Sequence, residues 1–99
     1  MNFGLSSKQF ELLDTLVFKK LKQAGARVWV FGSRATGEQH QFSDIDVLYE
    51  HPKGINLSLI AKIKEAAEES ALSIEVDLVN SSDLSNAYKE RIMKQRIEV

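Results

Sequence analysis

The chain has 99 residues and no cysteine. A disulfide framework and a thiolate zinc site are therefore excluded, and the usage fits a reducing cytoplasm. There is one proline, Pro52. It lies beside Lys53 and Gly54, so the segment reads as a turn and not as part of a proline-rich linker. No apolar run is long enough to span a bilayer. The start, Met1 to Ser6, lacks the basic stretch and apolar core of a secretory signal. These absences together lead us to expect a cytoplasmic protein without a membrane partner. Neither sign of charge is in excess: 13 Lys and Arg stand against 14 Asp and Glu, a net charge of -1. A chain so balanced does not wrap nucleic acid through its overall charge, and no direct nucleic-acid binding is expected. His40 and His51 are too isolated to form a metal-ligand pair and read as surface residues. With 43% hydrophobic and 27% charged residues, 1–99 reads as a single ordinary globular domain. Its core is modest enough that a partner or a second copy would help to stabilise it.

Helical and strand-like patterns alternate along the chain. Ser6 and Gln9 are spaced as a capping box, and Phe10, Leu13, Leu16, Val17, Leu21 and Ala24 then recur at helical spacing up to a stop at Gly25. A strand is expected over 27–31, a very short helix or turn over 33–37, and a polar loop over 38–42. A second strand is expected over 44–49. Leu57, Ile60, Ile63 and Ala67 form the apolar stripe of a helix over 56–70. In 73–80, Ile74, Val76 and Leu78 alternate with Ser73, Glu75, Asp77 and Val79, as in a third strand. Ser81, Ser82 and Asp83 read as the cap of a last helix over 84–93. The charged tail, 94–99, is expected to be loose or to dock on a partner. The expected fold is α/β (α+β): a small mixed β-sheet flanked by helices.

The chemistry concentrates in two short segments. One reads Gly32-Ser33-Arg34-Ala35-Thr36-Gly37, the other Ser43-Asp44-Ile45-Asp46-Val47-Leu48, with ten residues between Ser33 and Asp44. Residues i and i+2 of a strand share a face, so Asp44 and Asp46 are expected to lie close together. Two such carboxylates repel, and a divalent cation between them removes the repulsion. Gly32 permits close backbone approach, and the Ser33 hydroxyl can bond a phosphate oxygen. Asp77, on the third strand, offers a third carboxylate. Glu75, two residues earlier on the same face, competes for that role. Hard oxygen ligands of this kind suit Mg²⁺ and substrate phosphates, which together describe a phosphoryl- or nucleotidyl-transfer centre.

Gly32-Ser33, Asp44-Ile45-Asp46 and Glu75-Val76-Asp77-Leu78-Val79 resemble the signature of the nucleotidyltransferase superfamily that includes DNA polymerase beta. The two segments together resemble its smallest branch, the minimal nucleotidyltransferases. The resemblance covers about Val28 to Val79. It implies that Gly32 and Ser33 hold a nucleoside triphosphate, that Asp44 and Asp46 bind one or two Mg²⁺, and that Asp77 is the third metal-binding and catalytic carboxylate. Arg34 could reach a phosphate or could be a surface charge. Members of the branch typically act as the antitoxin of a HEPN-domain toxin, moving AMP from ATP onto a tyrosine hydroxyl of that partner in a hetero-oligomer. Two alternatives stand beside this: an antitoxin that works by binding alone, and transfer to a small molecule. The resemblance also implies that the acceptor arrives on another molecule.

The remaining notable residues have bland readings. Asp44 could cap a turn, and Asp77 could face solvent. Trp29 reads as core. Tyr49 is either core or a flank of the site. Lys89, Arg91, Lys94 and Arg96 read as a solvated face, with contact to a partner the minority reading.

Overall fold

The computed structural model describes residues 2–99. Helix α1 (Ser7–Leu13) passes through a π-helical turn (Asp14–Phe18) into α2 (Lys19–Gln23), so the first expected helix is one rod with a widened middle. Its start is the capping box read from the sequence: Gln9 N donates to Ser6 Oγ, and Ser6 N donates to Gln9 Oε1, both at 3.1 Å. Strand β1 (Arg27–Phe31) follows, then the single turn α3 (Ser33–Thr36) and strand β2 (Ile45–Glu50). Helix α4 (Leu57–Glu69) is capped by Asn56, whose Oδ1 accepts from Ser58 N at 2.7 Å. Then come β3 (Val76–Asn80), a 3-10 turn (Ser81–Asp83), α5 (Asn86–Gln95) and a short β4 (Ile97–Glu98). Among the described residues no helix is long and apolar enough to cross a membrane.

The four strands form one mixed sheet in the order β3-β2-β1-β4. β1 runs antiparallel to both β2 and β4, whereas β2 and β3 are parallel and are joined by the α4 crossover that parallel pairing requires. The alternation of side chains divides the sheet into two faces. Val28, Val30, Val47, Tyr49 and Val76 pack with Leu13, Val17, Phe18 and Leu21 of the N-terminal rod and Ile63 and Ala67 of α4, forming the main core. Trp29, Phe31 and Leu48 point to the opposite face, where Ile92 of α5 packs on them, with Val79 and Leu84 alongside. Only one helix covers that second face, and the uncovered remainder holds the cavity described below.

Two expectations at the C-terminal end need correction. Ser81, Ser82 and Asp83 do not cap the last helix. They form the 3-10 turn, in which Asn80 Oδ1 accepts from Ser82 N at 3.1 Å. Leu84 stays extended and packs on the second cluster, and Ser85 is the true N-cap. The tail is not loose either. Its residues add a strand to the free side of β1, with Glu98 opposite Trp29 and Ile97 opposite Val30. Arg27 clamps Glu98 through two hydrogen bonds of 3.1 and 2.9 Å. Trp29 is core, as its sequence context implies. The guanidinium carbons of Arg27 and Arg96 lie 4.8 and 4.2 Å from its ring centroid, in the range of cation–π attraction.

Candidate active site

The pairing register builds the site. Phe31 of β1 lies opposite Asp46 of β2, and Asp46 lies beside Asp77 of β3. One row across three strands thus reads Phe31, Asp46, Asp77. The next row is Trp29, Leu48, Val79. Both rows face the α5 side, so the apolar row seats the helix and the row with the carboxylates lies at its border. A cavity of about 380 Å³ opens there, within the range of small-molecule sites. Its floor is Phe31, Asp46, Asp77 and Val79. One wall is Gly32, Ser33, Thr36 and Glu38, and the other is Tyr88, Arg91, Ile92 and Gln95.

Gly32 joins the floor to the first wall. Its backbone has φ 74° and ψ -157°, a conformation that residues with a Cβ rarely adopt. A Cβ built on it would run into the Asp46 carboxylate. The bare backbone is what allows that carboxylate to stand against the turn. Carbonyl Gly32 accepts from Ala35 N and Thr36 N at 3.0 and 3.1 Å, which closes the turn and turns Ser33 toward the cavity. With only four residues, α3 has little macrodipole. What this turn presents to the cavity is the Ser33 side chain and the bare Gly32 backbone, not a helix dipole.

The carboxylates differ in their surroundings. Asp46 is half-buried, and its proton affinity is pushed above the usual carboxylate range, by burial first, then by the charges of Asp77 and Asp44. Asp77 is exposed at the cavity edge. Asp44 is exposed one residue before β2 and does not line the cavity. Glu75 is turned away: its carboxylate lies 3.9 Å from the Lys64 ammonium, and its backbone carbonyl accepts from Ile45 N at 2.9 Å. Of the two competitors for the third carboxylate, the cavity holds Asp77.

Among the described residues no three His, Cys, Asp or Glu side chains converge into a cation cage. The donor set nevertheless suits Mg²⁺, which is commonly held by one or two carboxylates together with substrate phosphates and water. Asp46 and Asp77 are such a pair; burial is the first cause of the raised proton affinity of Asp46, and the charges of Asp77 and Asp44 add a repulsion that a cation would relieve.

Arg34 is neither a phosphate ligand nor a surface charge. It is 2% exposed and absent from the cavity lining. Its guanidinium donates to carbonyls of Ser43 and Phe3, each at 2.9 Å, and of Gln41 and His40 at 3.3 and 3.4 Å. The loop before Asp44 presents three of these carbonyls inward and the N-terminal segment the fourth, and a five-donor group bonds them all. Burial pulls the proton affinity of Arg34 down, and the nearby Asp44 partly restores it. Arg34 therefore ties the N-terminal segment and the loop leading to Asp44 onto α3.

The wall contributed by α5 was not anticipated. Tyr88, Arg91, Ile92 and Gln95 follow the i, i+3, i+4, i+7 rule for one helix face. That spacing is visible in the sequence, but the expected end at Met93 cut Gln95 off, and the charges around Arg91 masked the face. On the first wall, Glu38 is held by Thr36, whose hydroxyl donates to its carboxylate at 2.9 Å.

A family model described as a nucleotidyltransferase domain matches residues 11–99. A Methanocaldococcus jannaschii protein named for protein adenylyltransferase activity is 35% identical over 79 residues, covering 80% of this chain and 84% of that protein. A solved structure described as a minimal nucleotidyltransferase superposes with a TM-score of 0.75 at 29% identity, covering 100% of this chain and 97% of the other. The crystal structure of a toxin-antitoxin with AMP-PNP shares the fold, with a TM-score of 0.67 at 24% identity over 86% of this chain and 70% of that one.

Proposed function

We propose that this chain, which belongs to the nucleotidyltransferase domain family, transfers AMP from ATP to a tyrosine hydroxyl of a HEPN-domain toxin and so acts as its antitoxin. The chain is a nucleotidyltransferase; the nucleotide, the acceptor and the partner are the reading proposed here. One observation carries the reading. Asp46 and Asp77 stand side by side in the parallel register, on a cavity floor that adjoins the Gly32-Ser33 turn. The protein adenylyltransferase name of the relative supports AMP as the transferred group, and the toxin-antitoxin structure with AMP-PNP supports a nucleotide and a toxin partner.

In this reading the acceptor oxygen attacks the α-phosphorus of ATP. The new O–P bond forms as the bond from that phosphorus to the bridging oxygen breaks, and pyrophosphate leaves. Ser33 donates its hydroxyl hydrogen to a phosphate oxygen, and Gly32 allows the phosphate to approach the backbone. Asp77, exposed at the cavity edge, accepts the proton released by the acceptor hydroxyl. Asp46 and Asp77 would hold Mg²⁺, with the charge of Asp44 nearby, and the ion would supply charge neutralisation to the transferred phosphate. The first wall and α5 position the nucleotide, leaving the exposed side of Asp77 open to the incoming acceptor.

The test is to mix the full chain with ATP, Mg²⁺ and the product of its neighbouring gene, and to weigh that product. Addition of AMP is expected with wild type and not with Asp46→Asn. An unmodified partner, with wild type shown to be folded, would refute the transferase reading. Full protection of cells by Asp46→Asn would show instead that neutralisation is by occlusion.

A further inference from the structure

We propose that Arg91 is the cationic residue that grips the polyphosphate of the nucleotide, from the wall opposite the Gly32-Ser33 turn. The inference rests on the nucleotidyl-transfer reading of this cavity and assigns a role to a residue outside its acidic and glycine-serine motifs. It begins from charge. The ionisable acids lining the cavity are Glu38, Asp46 and Asp77, and the only cationic side chain lining it is Arg91. A polyphosphate entering there meets carboxylates on the floor and on the near wall. Ser33 can offer it a hydroxyl, but Arg91 is the one lining side chain that offers a positive charge.

The other arginines are committed elsewhere. The chain has four, Arg27, Arg34, Arg91 and Arg96. Arg27 is clamped to Glu98, Arg34 is buried against four carbonyls, and Arg96 lies over the Trp29 ring. Among the described residues Arg91 has no acidic partner within 4.0 Å, although it shares a cavity with three carboxylates. Its placement is nonetheless fixed. Ile92, the next residue, is 2% exposed and locked among Trp29, Phe31 and Leu48. That anchor sets the rotation of α5 about its axis and directs its Arg91 side to the cavity. A guanidinium is the side chain best suited to forked hydrogen bonding with phosphate oxygens. Here it is held on a packed helix, with no acidic partner among the described residues.

Titration of the full-length chain with Mg²⁺-ATP, inorganic tripolyphosphate and AMP tests the assignment. Lys89→Ala and Lys94→Ala serve as controls: each removes one positive charge from the same helix, and neither residue lines the cavity. Arg91→Ala is expected to weaken ATP and tripolyphosphate about 10- to 100-fold, as loss of a charge-assisted contact would. AMP binding should change by less than about threefold, and the Lys controls by less than about twofold. Arg91→Lys should recover part of the loss, since it keeps the charge but not the fork. Arg91 is exposed, so thermal melting should match wild type and exclude a folding defect. Wild-type ATP affinity in Arg91→Ala would overturn the assignment while leaving the transferase reading intact. An equal loss in Lys94→Ala would also overturn it, in favour of bulk charge. Arg91-dependent polyphosphate binding without AMP transfer to any partner would uphold the assignment and count against the reading on which it builds.

Discussion

Replacing Gly32 with alanine should damage both the fold and the site, by separable amounts. The backbone there has φ 74° and ψ -157°, and holding a residue with a Cβ in such a region costs of order 1–3 kcal/mol. For a domain of this size each kcal/mol lowers the melting temperature by roughly 4–8 °C, so a strain of about 2 kcal/mol corresponds to roughly 8–16 °C. The added methyl would also occupy the space of the Asp46 carboxylate. That side chain must rotate away, and a displacement of about 1 Å in a catalytic group can cost on the order of 10²-fold in rate. Gly37→Ala is the matched control. It too has positive φ, at 84°, but a Cβ there meets nothing within 4 Å. It should cost about 1–2 kcal/mol for the left-handed backbone and leave turnover near wild type. Melting followed by circular dichroism, with AMP-transfer rates on the same samples, measures both effects. Near-wild-type melting and turnover in Gly32→Ala would refute this account of the turn. So would a turnover loss in Gly37→Ala as large as that in Gly32→Ala.

Three further outcomes follow from the same geometry. Arg34→Met should cost about 2–4 kcal/mol in urea unfolding, because the carbonyls of Phe3, Gln41 and Ser43 lose their donor while that of His40 keeps only Ser43 N, and Arg34→Lys should restore only part, since an ammonium cannot reach four acceptors in a fork. Asp46 should give a pH signature in metal-free buffer. Its carboxyl is raised from the ordinary 3.8, by burial first and then by Asp77 and Asp44, so the folded chain holds that proton more tightly than the unfolded one and stability falls as pH rises through the interval. Asp46→Asn with chelator should therefore melt higher than wild type at neutral pH, with the gap closing below the ordinary aspartate range, although it abolishes transfer. Finally, Asp77→Asn should reduce transfer by orders of magnitude and Glu75→Gln should leave it near wild type, measured as labelled AMP incorporated into the partner, because only Asp77 lines the cavity.

The parts of this fold that could be read from the sequence are those in which local pattern and tertiary role agree. Val28 and Val30 alternate with Trp29 and Phe31, and the sheet buries both sets, so β1 was readable to the residue. The capping box at Ser6 is a purely local device and was equally plain. The last sixteen residues were harder because their roles depend on distant partners. Leu84 stays out of the helix because a cluster from three strands holds it extended. Two-residue β4 has no periodicity to detect, and its place depends on Arg27 and Trp29, some seventy positions earlier. The π-helical turn at Asp14–Phe18 leaves the apolar spacing of its helix nearly unchanged and so carries no signal.

The two arginines show why the site was only half legible. Arg34 follows the serine in sequence, and adjacency alone suggested a phosphate role. Yet a residue one step along a short helix points elsewhere, and the loop carbonyls of Phe3, His40, Gln41 and Ser43 claim its donors. Arg91 lies forty-five residues beyond Asp46 in a run of charges that reads as solvated surface. It reaches the cavity because Ile92 is buried on the sheet face whose next row carries the two aspartates. Motif spacing reports residues joined by one turn of chain. A cavity wall supplied by a helix docked from elsewhere follows only from the packing that seats the helix. The acidic floor is therefore set by strand register and the basic wall by a single buried isoleucine. Ile92→Ala, which leaves Arg91 itself intact, should accordingly weaken polyphosphate binding along with stability, whereas a change at exposed Met93 should do neither.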